Sequence, residues 1–171
     1  MDFVNSCLSC QERKQPRVKI SSGLKISSED VNDLVAMDLQ GPLNRTQYDH
    51  SYILVIQDVF TRYVALAPLR DSKAETVAHA FLSSWVGPFG VPCRLLTDNG
   101  TNFTSDLFDD VMIILKIKKV WTSPYHPQGN GTVERMNCTI NNMLSHYVNK
   151  THDNWDIYLP MIAFAHNATH N

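Results

Sequence analysis

The sequence predicts an α/β domain built on a five-stranded mixed sheet with helices on both faces. Two patterns in the 171 residues carry that prediction. Apolar or β-branched runs suited to strands stand at Leu34–Leu39, Tyr52–Val59, Tyr63–Leu69, Arg94–Thr97 and Lys118–Thr122, the first three with no helix between them. From residue 72 onward, helical periodicity alternates with the remaining strands, the order expected of a sheet covered by helices.

The spacing of apolar residues predicts the helices. Ser72 and Glu75 have the spacing of a capping box, and Ala74, Val77, Ala78, Phe81, Leu82 and Trp85 form a core-facing stripe behind them. A second helix is expected near Ser105, with Leu107, Phe108, Val111, Met112 and Leu115 turned inward. A third should run from Thr132 to about Val148. The last should start near Asp153 and bury Trp155, Leu159, Ile162 and Phe164, with Pro160 bending it because proline lacks the N–H donor.

Composition bounds the function. At 43% hydrophobic content the chain can bury one sizeable core, and it shows no repeat or low-complexity tract. No run approaches the roughly 20 apolar residues of a membrane span, and the first thirty residues lack a secretory signal pattern. Four cysteines, with Cys7 near Cys10 and with Cys93 and Cys138 alone, do not form a disulfide framework and fit a reducing compartment. The seven Asn-x-Thr triplets are then coincidental. A net charge of −2 argues against coating nucleic acid by bulk electrostatics, so any DNA contact must be local. The one basic stretch, Arg13, Lys14, Arg17, Lys19 and Lys25, suits a solvated linker and a phosphate-binding arm equally well.

Three carboxylates stand out. Asp38 interrupts an apolar strand, although alone it also suits a residue supporting the Gly41-Pro42 turn. Asp98 ends a strand and opens Asp98-Asn99-Gly100-Thr101-Asn102-Phe103, where the Asn-Gly pair makes a tight turn. The residues after that turn have the character of a helix, not of a returning strand, and the carboxyl ends of strands are where α/β folds commonly place sites. Glu134 lies in the first turn of a helix after the loop Ser123–Gly131, where the helix dipole also favours it. On that helix Val133, Met136, Ile140, Met143, Leu144 and Tyr147 make an apolar side, and Glu134, Asn137, Cys138, Asn141 and Ser145 a polar one. Two Asp at strand ends and a Glu on a covering helix are expected to converge into an acidic cluster that would need a cation, and hard oxygen donors favour Mg²⁺ or Mn²⁺. Two such ions suit in-line phosphoryl displacement.

At these residues the chain resembles the integrase core of retroviruses and gypsy-type long-terminal-repeat retrotransposons. Thr97-Asp98-Asn99-Gly100, Ser123-Pro124-Tyr125-His126-Pro127-Gln128-Gly129 and Val133-Glu134-Arg135 stand in family order, with 35 residues between Asp98 and Glu134. The resemblance implies a ribonuclease-H-like fold with Asp38, Asp98 and Glu134 as catalytic and metal-binding residues. Asp38 would bridge two Mg²⁺ or Mn²⁺ ions, and the other two carboxylates would complete one site each. It implies attack by water on an element DNA end, then attack by the freed 3′-hydroxyl on target DNA. DNA contacts are implied for Tyr125, His126, Pro127, Gln128, Asn137 and Asn141, and support for Asn99, Gly100 and Arg135.

The same resemblance implies a homo-oligomer, a dimer or higher, and no membrane partner. It implies work in the nucleus after a cytoplasmic stage. Cys7 and Cys10 are similar to the last two ligands of a preceding zinc domain. No His precedes them here, so residues 1–30 are expected to be a remnant of that domain and a basic linker, without zinc binding of their own. Residues 31–171 would be the catalytic core, truncated at its C-terminal end. Cys138 and Asn141 depart from the family pattern, since many relatives carry a basic residue there. Two other functions stay open at this point: an inactive remnant used for DNA or protein binding, and a nuclease that only hydrolyses.

Overall fold

The computed structural model describes residues 28–121 and 131–169, with the backbone alone for residues 131–134. Five strands, β1 (Leu34–Gln40), β2 (Tyr52–Asp58), β3 (Val64–Leu69), β4 (Arg94–Thr97) and β5 (Lys118–Trp121), form one sheet in the order β3-β2-β1-β4-β5. The β1-β2 and β2-β3 pairs are antiparallel, and the β1-β4 and β4-β5 pairs parallel. The expected five-stranded mixed sheet is therefore the observed one. Strand limits differ from those expected by at most one residue, and the predicted fifth-strand residue Thr122 lies outside the described residues.

Alternation along β1 splits the core in two. Val35 and Met37 point to one face with Leu54, Ile56 and Leu95, where helices α1 (Ala74–Phe81) and α2 (Asp106–Ile114) cover them through Val77, Phe81, Phe108 and Met112. Ile53 and Val55 point to the other face, against Met136, Ile140 and Leu144 of α3 (Gly131–Leu144) and Leu159 and Ile162 of α4 (Leu159–Ala168). Leu34, Ala36 and Leu96 form a smaller buried group. Asp38 has the parity of Leu34 and Ala36, so β1 carries it on the α3 side of the sheet.

Several local expectations change. The N-cap of α1 is Lys73, with no side-chain cap, and Asp71 supports the start by accepting the Lys73 N–H at 3.0 Å. Ser72 thus precedes the cap and forms no capping box. Beyond Phe81 the helix widens into a π-helical segment, Leu82–Val86, and a last turn Gly87–Phe89 that ends at Gly90, φ 85°. That course buries Trp85, whose Nε1 donates to Asn32 Oδ1 at 2.9 Å. Ser105 does cap α2, accepting the Phe108 N–H at 3.3 Å. Leu107 is exposed, because the inward stripe runs through Phe108 and Met112 and leaves Leu107 at its margin.

Helix α3 ends at Leu144, and the chain to Val148 continues in turns such as Tyr147 N–H to Leu144 C=O, 2.9 Å. Tyr147 is consequently exposed and packs its ring beside Tyr158, 5.8 Å between centroids. The last helical region begins with a 3₁₀ turn at Asp156–Tyr158, later than expected. Pro160 sits in the first turn of α4, where a missing N–H costs no helical bond, and so it starts the helix instead of bending it. Phe164 is exposed: it stands two residues past the buried Ile162, about 200° round the helix, on the opposite face.

The connection between α3 and α4 is anchored by polar contacts. Buried Asp156 accepts from Thr46 Oγ1 at 2.6 Å and from the Ile157 N–H at 3.0 Å, with His50 Nδ1 2.7 Å away. Trp155 Nε1 donates to Asn44 C=O at 2.8 Å. These contacts tie the connection after α3 to the one after β1. Cys93 and Cys138 are both free and exposed, and no described helix is long and apolar enough to cross a membrane.

The cap assignment separates two serines. Ser105→Ala should lower stability by about 1 kcal/mol, whereas Ser72→Ala should change it by less than about 0.5 kcal/mol; urea unfolding of both variants measures the difference.

Candidate active site

Two of the three predicted carboxylates are set by one strand ladder. Strands β1 and β4 pair in parallel through Leu34↔Arg94, Val35↔Leu95 and Ala36↔Leu96. Carried two residues further, the same offset puts Asp38 level with Asp98, and alternation aims both to the α3 side. Asp38 lies inside β1, two residues before its end, not at its close as the sequence suggested. Asp98 comes directly after the last residue of β4.

The turn after β4 holds Asp98 by its own backbone. Asp98 Oδ1 accepts the Gly100 N–H at 3.0 Å, and Gly100 C=O accepts from the Phe103 and Thr104 N–H groups at 2.9 and 3.1 Å. A Cβ at Gly100 would come within 2.7 Å of Asn102 Oδ1 and 3.0 Å of Asp98 Oδ1, so no larger residue fits there without moving the carboxylate. The chain then turns into α2, as the Asn-Gly pair and the missing return strand implied. Asn99 is exposed.

Helix α3 closes the site from above. Asn137 Nδ2 donates to Asp38 Oδ2 at 2.5 Å, while the Leu39 N–H donates to Asp38 Oδ1 at 2.9 Å. One turn further along α3, Asn141 Oδ1 accepts from Gln40 Nε2, two residues beyond Asp38 on the same strand face. Amide groups thus bridge β1 and α3 at two successive levels. Among the described residues, Asn137 Oδ1 and Gln40 Oε1 are buried acceptors without a partner. Sequence reasoning misses Gln40, although the period of two from Asp38 marks its face.

Glu134 belongs to the backbone of α3 one turn before Asn137, and its side chain lies outside the described residues. Tyr125, His126, Pro127 and Gln128 lie outside them as well, as do Cys7, Cys10 and the basic stretch. Arg135 and Cys138 are exposed on α3. Among the described residues no three His, Cys, Asp or Glu side chains gather as a metal cage. Two facing carboxylates with an orphaned amide oxygen beside them are nonetheless the hard donors a small divalent cation takes.

The electrostatics agree with that donor set. Burial pushes the Asp38 carboxyl above its ordinary range, Asn137 and the Leu39 N–H pull it back, and the Asp98 charge pushes it up again. A carboxyl raised in the fold binds its proton more tightly folded than unfolded, so stability falls as pH rises through and above the ordinary carboxylate range. Asp38→Asn should therefore raise the melting temperature of the metal-free protein at neutral pH, and the gain should vanish as pH falls below that range. Scanning calorimetry across pH checks both limbs.

Similarity to known proteins bears on this geometry. The integrase core domain family model matches residues 28–127. The chain is 29% identical over 141 residues to the retrovirus-related Pol polyprotein from transposon 412 of Drosophila melanogaster, covering 82% of this chain and 11% of that protein. It is 28% identical over 169 residues to the gypsy retrotransposon integrase-like protein 1 of Macaca fascicularis, covering 98% of this chain and 32% of that one. The chain thus spans about a third or less of these relatives' length. Its fold matches the catalytic core domain of BIV integrase with a TM-score of 0.65 at 24% identity, over 82% of this chain and 86% of that one. It also matches a simian T-cell lymphotropic virus intasome in complex with PP2A regulatory subunit B56 gamma, TM-score 0.69 at 20% identity, over 97% of this chain and 57% of that one. The sheet is the ribonuclease-H-like sheet of these cores, and the chain belongs to the integrase core domain family.

Proposed function

We propose that this chain is the catalytic core of a polynucleotidyl transferase that processes the DNA ends of a mobile element and joins them to target DNA. The observation that carries the reading is the parallel register of Asp38 with Asp98 under α3, with Asn137 bonded to Asp38. Asp38, Asp98 and Glu134 would hold the two divalent ions, Mg²⁺ or Mn²⁺, which when bound supply charge neutralisation to both the attacking and the leaving oxygen at phosphorus. Use of a divalent metal is typical of the family.

The chain's own part is positioning. The β1-β4 ladder fixes the spacing of two carboxylates, and the Gly100 turn keeps Asp98 at its strand end. Asn137 orients Asp38 and favours its ionised form, the form that acts as a ligand. A displacement then forms one phosphorus–oxygen bond and breaks another in line, with water as nucleophile in end processing and a DNA 3′-hydroxyl in joining. Tyr125, His126, Pro127, Gln128, Asn137 and Asn141 are assigned to DNA, and Asn99, Gly100 and Arg135 to support. Residues 1–30 are assigned to a zinc-domain remnant and linker, and residues 31–171 to the core. A homo-oligomer working in the nucleus completes the proposal.

The test is an oligonucleotide assay offering both water and a 3′-hydroxyl acceptor with Mg²⁺ or Mn²⁺. Metal-dependent joining is expected, with Asp98→Asn abolishing it and Asn137→Ala reducing it about 10- to 100-fold, as loss of a group that orients a ligand does. Hydrolysis without joining would make the chain a nuclease. DNA binding without either reaction, in a folded protein, would make it a binding module derived from an integrase.

A further inference from the structure

The sheet face that carries Asp38 carries a second polar residue that the carboxylate chemistry leaves unused. Gln40 lies two residues further along β1 with the parity of Asp38, and it pairs in register with Ile53, which packs on the α3 side. Two strand residues advance about 6.6 Å and four helix residues about 6 Å. The step from Asp38 to Gln40 therefore matches the step from Asn137 to Asn141, and the two strand-to-helix contacts form successive rungs.

The rungs differ in what they leave free. In the first, Asn137 Nδ2 donates to the Asp38 carboxylate. In the second, Gln40 Nε2 donates to Asn141 Oδ1, so the acceptor end of the Asn141 amide is used inside the protein. Asn141 is exposed, and its Nδ2 has no partner among the described residues. An asparagine amide free to turn presents an acceptor and donors alike. Held by Gln40, Asn141 presents donors alone.

Gln40 is a costly way to cover α3. Its Oε1 is buried and has no donor among the described residues. A buried acceptor left unpaired is destabilising, and an apolar side chain of similar length would fill the same place without that loss. Packing therefore does not account for an amide here, whereas its donor end has a defined partner. Charge offers no substitute at this level of the helix: the exposed residues of α3 after Asn137 are Cys138, Thr139, Asn141 and Asn142, all neutral. A polyanion lying along this stretch meets hydrogen-bond donors and no cation.

We propose that Gln40 is a positioning residue that fixes the Asn141 amide as a donor-only clamp for a backbone phosphate of duplex DNA, one rung beyond the carboxylates. Its purpose rests on the transferase reading, and its measurement does not. Asparagine donors position DNA through phosphate oxygens without reading sequence. A donor already oriented in the free protein loses less freedom on binding.

Fluorescence anisotropy of the full chain in EDTA, where no metal-dependent reaction proceeds, tests this with duplexes of two unrelated sequences. Asn141→Ala should weaken binding about fivefold and Gln40→Met about threefold, for both duplexes. The double variant should also lose about fivefold, not the roughly fifteenfold of independent losses. Because the amide is uncharged, the loss in Asn141→Ala should be the same at about 50 and about 200 mM salt. In the ¹⁵N-labelled parent chain, the Asn141 side-chain amide resonance, identified by its absence from Asn141→Ala, should shift at saturating duplex. That arm needs no Gln40 variant, so a poorly folding Gln40→Met leaves it decisive.

Additive losses, an unchanged affinity in either single variant, a loss confined to one sequence or an unmoved resonance overturns the proposal, as does failure of the parent chain to bind duplex DNA. Joining activity with additive losses removes the clamp alone. Coupled losses without any metal-dependent reaction remove the transferase reading alone.

Discussion

The arrangement depends on one constraint, the parallel pairing of β1 with β4. Three paired residues determine where two like charges come to lie, and they do so on the half-buried face where such charges repel most. A one-residue slip of that ladder would turn one carboxylate to the opposite face, into the main apolar core. Register is defended there by the alternation of Val35 and Met37 with Leu34 and Ala36, each set packed against a different layer. The cores that stabilise the sheet and the spacing that makes a site are therefore consequences of the same hydrogen bonds.

Much of this is legible in the sequence because it depends on period and on turn chemistry. Strands of alternating or continuous apolar residues, the serine before α2 and the Asn-Gly turn after β4 all report on contacts close along the chain. The failures share a cause as well. Leu107 and Phe164 are apolar but stand off the buried stripe, and the sequence does not say how wide a stripe the neighbouring layer covers. Periodicity puts Pro160 in the middle of a helix whose first turn it occupies, because the 3₁₀ turn before it carries no distinctive composition. At α1 an aspartate two residues ahead of the cap takes the part expected of a serine, and the backbone angles at Lys73 settle which of them does so.

The polar lining of the site is half legible. Asp38 and Asp98 interrupt apolar strands, and that interruption is visible in one dimension. The link from Gln40 to Asn141 and the orientation of Asn137 toward Asp38 depend on how α3 lies across β1, which no spacing rule reports. Lys119 is hidden for a related reason: a lysine on an edge strand is ordinarily solvated, and only the packing of Phe103, Phe108 and Trp121 around it turns it into a buried post.

The two apolar layers on either side of the sheet are unequal, and this bears on motion. The layer under α1 and α2 is larger and continuous, whereas α3 and α4 rest on a smaller cluster and on a few polar ties through Asp156 and Trp155. Regions with fewer buried contacts open at lower free-energy cost. The aspartates therefore sit on a sheet whose other face is held by the larger layer, and the glutamate's helix belongs to the smaller one, so parting α3 from the sheet should cost less free energy than parting α1 and α2 from it.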